Sequence, residues 1–278
     1  MIWTGKGFIF DLDRRVVLMG VLNVTPDSFS DGGRYFACDQ ALARAMELLE
    51  EGADLLDVGG ESSRPGAQPV PMDEELRRVL PLIEAVRKRS EVPLSIDTYK
   101  AGTARAALEA GANIINDITA LSDPEMATVA AQHQAGLILM HMQGNPQTMQ
   151  KKPEYSDLFA EVISYLRAAV ERALAAGVSS QSIAVDPGIG FGKTTDHNLR
   201  LLNGLSRIAE LGYPVLVGPS RKRFIGELTG QEVSNRLFGT LAATALAVDA
   251  GARIIRIHDV APVRQAVRVA EAVHGAAV

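Results

Sequence analysis

Short apolar runs rich in β-branched residues alternate along this chain with longer segments whose apolar positions recur at helical spacing. The runs at 16–23, 54–59, 94–97, 113–116, 137–141, 183–186, 215–218 and 253–257 predict eight strands. The segments at 38–51, 73–89, 100–110, 123–134, 157–176, 197–211, 234–250 and 262–275 predict the helices between and after them. A helix-ending glycine recurs in nearly one form: Glu51-Gly52-Ala53, Ala110-Gly111-Ala112, Ala176-Gly177-Val178, Leu211-Gly212-Tyr213 and Ala250-Gly251-Ala252. Glycine there supplies the left-handed turn that stops a helix before the next strand. Eight βα units with near-continuous apolar strands predict a parallel sheet closed on itself, a single-domain (β/α)8 TIM barrel of α/β class over 1–278. The competing architecture is a doubly wound open sheet. It usually carries a glycine-rich fingerprint after its first strand, where this chain has Asn23-Val24-Thr25-Pro26. A further short strand at 7–11 is expected to plug the bottom of the barrel.

Polar residues collect where the predicted strands end. Asn23, Asp57, Asp97, Asn116 with Asp117, His141, Asp186, the run Ser220-Arg221-Lys222-Arg223, and Arg256 with His258 follow in order. One such residue is ordinarily a cap or a turn former. Eight strand tips bearing them converge, in a barrel, on one mouth. The long loops at 24–37, 60–72 and 142–156 each follow a strand, the usual place for functional lids. Buried carboxylates and an amide at Asp97, Asn116 and Asp186 suit a flat, donor-rich heterocycle, and Arg64, Lys222, Arg256 and His258 suit an anion. The loop from Asp186 through Gly188, Gly190 and Gly192 to Lys193 is weaker evidence, since a phosphate cradle, a tight turn or close packing would each account for its glycines. The run from Gly218 to Arg223 puts cations at a helix start after strand seven, where barrels often bind anions. His133 and His274 fall within predicted helices, as surface or packing residues, and His197 near a helix start has no evident partner.

Composition narrows the classes. Of 278 residues, 47% are hydrophobic and 22% charged, the balance of a soluble protein with a sizeable core. The net charge of −5 offers no basic excess to hold a nucleic-acid backbone, so an anionic ligand needs a local cationic pocket. The single cysteine, Cys38, supports neither an intrachain disulfide nor a thiolate cluster, which suits the reducing cytoplasm. No apolar run approaches the roughly 18 residues of a membrane span. Metal-ligand spacing of the His-x-x-x-His kind is absent, which argues against held zinc. A Mg2+ shared with substrate phosphates needs only one or two protein oxygens, and Asn23 could supply one.

The stretch from Met19 through Asn23, Thr25, Phe29 and Ser30 to Gly33 resembles the first signature of the dihydropteroate synthase family. Asp57-Val58-Gly59-Gly60-Glu61-Ser62-Ser63-Arg64-Pro65-Gly66 resembles the second. Asp97-Thr98, Asn116-Asp117, Met140-His141-Met142, Asp186-Pro187-Gly188, Ser220-Arg221-Lys222 and Arg256-Ile257-His258 follow in family order, and the resemblance covers essentially the whole chain. It implies condensation of a pterin-methyl pyrophosphate with 4-aminobenzoate by a Mg2+-dependent homodimer, and competition by sulfonamides. By resemblance Asn23 holds Mg2+ with the pyrophosphate, and Arg64, Arg256 and His258 bind its oxygens. Asp97, Asn116, Asp186 and Lys222 read the pterin edge, with Met140 and Phe191 lining the slot. Phe29, Ser63, Pro65 and the helix start near Lys222 and Arg223 form the 4-aminobenzoate site. Two departures stand out: the family often has Thr in place of Ser63, and Arg223 replaces a Ser common in relatives.

Three rivals remain at this level. A Schiff-base aldolase needs a lysine within the mouth, and Lys222 lies just past a strand end. A pterin-binding methyl-transfer domain shares the barrel and the pterin-edge residues without the Ser63-Arg64-Pro65 loop. A pterin-binding paralogue without synthase activity would not need Asn23, Arg64, Lys222, Arg256 and His258 together.

Overall fold

In the computed structural model the described residues are 1–24, 33–63 and 66–276, apart from the side chains of 33–37. Strands β3 (Val17–Asn23), β4 (Leu55–Gly59), β5 (Leu94–Asp97), β6 (Ile114–Asp117), β7 (Gly136–Met140), β8 (Ile183–Asp186), β9 (Leu216–Val217) and β10 (Ile254–Ile257) form one parallel sheet. Its order is β8-β7-β6-β5-β4-β3-β10-β9, and a bridge between Val185 and Val215 joins the two ends, so the sheet closes. The barrel expected from the alternation is the barrel observed. Strand seven is shorter than expected, two residues in place of 215–218.

Around the barrel lie α1 (Gly33–Glu50), α2 (Met72–Arg87), α3 (Ala101–Glu109), α4 (Met126–Gln132), α5 (Leu158–Ala175), α6 (Thr195–Asn203), α7 (Ser206–Ala209), α8 (Arg223–Thr229), α9 (Leu237–Asp249) and α10 (Val260–His274). Glycines 52, 111, 177, 212 and 251 all take positive φ, as the recurrent helix-ending motif requires. The helix expected over 197–211 divides into α6 and α7. Gly204 sits at the break because the ring of Phe159 presses against it, with Cζ only 2.5 Å from where a β-carbon would stand.

Apolar side chains separate into two layers. Outward-pointing strand residues such as Leu18, Leu56, Ile96 and Ile115 pack against the helices in one continuous core. Inward-pointing ones, including Met19, Leu55, Ile114, Ile138 and Ala184, meet Trp3, Phe8, Phe10 and Leu12 from below. Those aromatics come from a hairpin, β1 (Ile2–Gly5) and β2 (Phe8–Asp11), so the plug has one strand more than the sequence predicts. Trp3 stacks edge-on to Phe8 at 5.0 Å, and its Nε1 donates to the Ser182 carbonyl at 3.0 Å. The bottom of the barrel is thereby closed with apolar surface. What polar chemistry the strands carry is left to the top.

Candidate active site

Strand register sets the site. In a parallel sheet the residue pairs across β3, β4, β5 and β6 align Asn23, Gly59, Asp97 and Asn116 in one row at the C-terminal ends. Gly59 leaves that row open in the middle, since a β-carbon there would stand 3.3 Å from Asn23 Oδ1 and 3.6 Å from the Asp97 β-carbon. Met140 and Asp186 pair across β7 and β8 on the opposite side. Above them opens a cavity of about 910 Å³. Asn23, Ser63, Asp97, Asn116, Met140, Asp186, Phe191, Lys222, Arg223, Arg256 and His258 all line it, which is every sequence-predicted site residue within the described residues. Phe29, Arg64 and Pro65 lie outside the described residues.

The electrostatic centre is Arg256. Its Nε donates to Asp57 Oδ2 at 2.6 Å and its Nη2 to Asp97 Oδ2 at 2.7 Å. Asp57 is fully buried one layer below the row and also accepts from Asn116 Nδ2 at 3.2 Å. Asp57 therefore aims Arg256 and Asn116 and does not itself face the cavity. Burial pushes the Asp97 carboxyl up to about 7, although Arg256 pulls it back, and pushes Asp186 up to about 6, partly opposed by the Gly188 backbone N–H. Guanidinium Arg256 is held further into its charged form, because its two carboxylate partners outweigh its burial.

On the facing side, the Lys222 ammonium lies 4.1 Å from the centroid of the Phe191 ring. Burial, and then Arg256, press its pKa down to about 8. His258 is lowered to about 4 by burial and by Arg256, so it is neutral near pH 7. Its Nδ1 lies 2.9 Å from Ser220 Oγ, and that oxygen already accepts from the His258 backbone N–H. Ser220 Oγ therefore fixes the imidazole through both the ring and the backbone of His258.

Several strand-end residues serve the scaffold instead. Asp117 points away from the mouth and accepts from the backbone N–H of Thr119 and Leu121 at 2.8 and 2.7 Å, shaping the turn after β6. His141 is buried; burial and Lys193 lower its pKa to about 3, and its Nδ1 sits 2.9 Å from Lys193 Nζ. Arg221 is committed to Asp259, with Nε–Oδ2 at 3.0 Å. Arg223 is at the exposed rim and pairs with Glu227 at 2.6 Å, one turn along α8. His197 proves to have partners: it completes a capping box with Thr194 at the start of α6, and Tyr155 meets its ring edge at 5.0 Å.

Lys193 is a cavity residue that sequence reasoning passes over. The glycine-rich loop folds back so closely that a β-carbon on Gly188 would lie 1.9 Å from the His141 carbonyl oxygen. Gly188, Gly190 and Gly192 also all take positive φ, so these glycines serve the tight turn and the close packing together. The consequence is to bring Lys193 Nζ to His141 and, at 2.9 Å, to the Phe191 carbonyl. Burial lowers that lysine to about 7 against the pull of Asp186.

No group of three or more His, Cys, Asp or Glu residues suited to a metal occurs among the described residues. The donor set at Asn23, one amide oxygen on the wall of a cavity that also holds Lys222 and Arg256, fits Mg2+ only as an ion shared with phosphate oxygens of a substrate.

The sequence profile of the pterin binding enzyme family matches residues 19–258. A dihydropteroate synthase of Synechocystis sp. is 47% identical over 266 residues, covering 95% of this chain and 92% of that protein. A Yersinia pestis dihydropteroate synthase, solved with a sulfonamide drug complex, superposes with a TM-score of 0.94 at 44% identity, over 99% of this chain and all of the other. A Xanthomonas albilineans dihydropteroate synthase solved with 4-aminobenzoic acid gives 0.93 at 47% identity, over 99% of each chain.

Proposed function

The chain belongs to the pterin-binding enzyme family, and we infer from its site and its relatives that it works as a dihydropteroate synthase. The reaction joins (7,8-dihydropterin-6-yl)methyl diphosphate to 4-aminobenzoate, giving 7,8-dihydropteroate and pyrophosphate in folate biosynthesis. The observation that carries this reading is the mixed lining of the cavity. Asp97, Asn116 and Asp186 offer acceptors to a donor-rich ring, and Lys222, Arg256 and His258 offer charge and hydrogen bonds to an anion.

Chemically, the bond between the pterin-methyl carbon and the pyrophosphate oxygen breaks, with its electron pair leaving on the oxygen. The amine nitrogen of 4-aminobenzoate bonds to that carbon and then loses a proton. Positive charge developing on the pterin falls between Asp97 and Asp186, and the departing negative charge meets Arg256 and His258. Preorganised charge of this kind stabilises the transition state with no covalent intermediate. Met140 and Phe191 wall the ring slot. Ser63 and Arg223 stand at the second-substrate side, where Phe29 and Pro65 also belong, and Arg64 belongs with Arg256 and His258 at the pyrophosphate. Mg2+, held by Asn23 and the pyrophosphate, would neutralise charge on the leaving group.

The same reading extends to a homodimer in the cytoplasm. Phe238 and Leu246 of α9 and Val269 and Val273 of α10 are exposed on two helices, a surface that suits a second copy. No helix among the described residues is long and apolar enough to cross a membrane. The deciding experiment is pyrophosphate release by the purified protein with Mg2+. Release that requires both substrates is expected; none with both present would overturn the assignment.

A further inference from the structure

The loop following β4 starts at Gly60 and returns to α2 at Met72. Its Ser62 and Ser63 line the cavity. Glu61, one residue earlier, is the most heavily bonded side chain at its base. Its Oε2 accepts from the backbone N–H of Val70 at 3.0 Å, which ties the beginning of the loop to its end. The same oxygen accepts from Lys100 Nζ at 2.6 Å, and Oε1 accepts from the Tyr99 hydroxyl at 2.7 Å. Tyr99 and Lys100 stand just past the tip of β5, two and three residues after Asp97.

The anchor is itself fixed from behind. Lys100 also donates to Glu75 Oε2 at 2.7 Å, and Thr103 donates to that oxygen at 3.1 Å. Glu75 is fully buried on α2 and packs under Gly60, where a β-carbon would meet its Cγ at 3.0 Å and Val79 Cγ1 at 2.8 Å. Arg78 of α2 holds the Gly60 carbonyl at 2.8 Å. The Tyr99 ring packs on the cluster of Ile118, Met140, Met142 and Met149. Glu61 is therefore gripped by two rigid elements, α2 and the end of β5, and passes that rigidity to the loop. Tyr99 remains the donor in this contact, since burial and the Glu61 hydrogen bond push its hydroxyl up to about 12.

We propose that Glu61 is the positioning residue of the 4-aminobenzoate side: it closes the loop through Val70, locks it to Tyr99 and Lys100, and so holds Ser62 and Ser63 at the cavity wall without touching either substrate. The proposal rests on the reading that this loop receives the second substrate. A merely structural carboxylate would weaken 4-aminobenzoate and the pterin ring together or lower stability alone. A positioning residue for one loop separates them.

The test uses the full-length protein and the variants Glu61→Ala, Glu61→Gln and Tyr99→Phe. Glu61→Ala is expected to raise KM for 4-aminobenzoate by about tenfold or more, the scale of one lost charge-assisted hydrogen bond. The Kd of the pterin alcohol, which lacks the pyrophosphate assigned to Arg64 of the same loop, is expected to stay within about twofold. Amide exchange in the segment 62–70 should quicken, Val70 above all, because its N–H loses its acceptor. Glu61→Gln keeps an acceptor but loses the charge, and Tyr99→Phe loses one bond, so both should fall between wild type and Glu61→Ala. An unchanged 4-aminobenzoate KM in folded Glu61→Ala, or equal weakening of 4-aminobenzoate and the pterin alcohol, overturns the proposal. If Glu61→Ala does not fold, unchanged KM values in the other two variants overturn it equally. Wild-type protein that releases no pyrophosphate overturns the parent reading; active wild type with insensitive variants overturns only this one.

Discussion

Replacing Lys222 separates the chemistry of the mouth from the stability of the barrel. Among the described residues its ammonium makes no hydrogen bond, and it rests 4.1 Å over Phe191 while facing the cavity. Folding therefore gains from it little more than a cation–π contact of about 0.5–1 kcal/mol and a packed stem. Removing a charge that burial disfavours offsets part of that loss. Lys222→Ala is expected to shift Tm by no more than about 2–4 °C. A ligand, by contrast, loses a hydrogen bond to a charged donor, worth about 1.5–3 kcal/mol, or about 10- to 150-fold in kcat/KM for the pterin pyrophosphate.

The same lysine sets a pH limb. Its ammonium is held down to about 8, so kcat/KM in the wild type should fall about tenfold per pH unit above that value as the cation is lost. Lys222→Arg keeps its charge, so its alkaline limb should vanish even where its plateau is lower, because a guanidinium fork does not replace an ammonium point charge. Initial rates of pyrophosphate release from about pH 6 to about pH 10, with thermal melts alongside, check both parts. An unchanged kcat/KM in Lys222→Ala would remove the residue from the site. A limb that persists in Lys222→Arg would pass the titration to another group, Lys193 first among them.

On the acid side, kcat/KM should fall as pH drops below about 7, because Asp97 near 7 and Asp186 near 6 take up protons and lose their negative charge; a flat profile down to pH 5, about two units lower, would contradict this. The ligand-free protein should show the opposite sign in its melts, since carboxyls raised above their unfolded values contribute stability at low pH that is lost as pH rises through 6 to 7. Asp57→Asn should cost about 3 kcal/mol in urea unfolding and should lower kcat/KM by releasing Arg256, whereas wild-type stability would show the pair to be dispensable. Excess chelator should abolish turnover and Mg2+ should restore it, and full activity in chelator would take the metal out of the reaction. Sulfonamides should compete with 4-aminobenzoate, with Ser63→Thr altering the ratio of the two affinities; inhibition unrelieved by excess 4-aminobenzoate would contradict a shared pocket.

The barrel was legible because its eight strands are almost wholly buried and five of its helices end in the same glycine motif, so the alternation repeats eight times and its punctuation five. The hairpin was half legible: Phe8-Ile9-Phe10 alternates, but the strand Ile2–Gly5 is short, and its Trp3 declares itself only against the bottoms of distant strands. Strand ends disclosed Asn23, Asp97, Asn116, Asp186, Lys222, Arg256 and His258 by position, whereas Ser63 and Phe191 came only with the family resemblance. What position along the chain did not disclose was direction. Asp117 follows Asn116 immediately and so faces the other side of the sheet, whereas Asp57 precedes Gly59 by two and so faces inward one layer lower. Both carry the same side chain and the same apparent tip signal as Asp97. The helper residues are harder still, because Lys193 reaches the cavity through a loop that doubles back, and Lys100 finds Glu61 across 39 residues of chain.

The shifts in the mouth also form a pattern that no single residue reveals. Asp97 and Asp186 are raised, and Lys193, Lys222 and His258 are lowered, with burial the largest cause in each. Each group is therefore held away from the charge it carries freely in water, while only Arg256 is fully compensated, by Asp57 and Asp97. A barrel whose bottom is closed by Trp3, Phe8 and Phe10 can carry that cost at its top. A molecule bearing donors at one end and an anion at the other answers both sets of groups at once, and either half alone leaves one set unanswered. The two-ended substrate of a dihydropteroate synthase has that form, so the site's strain and its selectivity have the same origin.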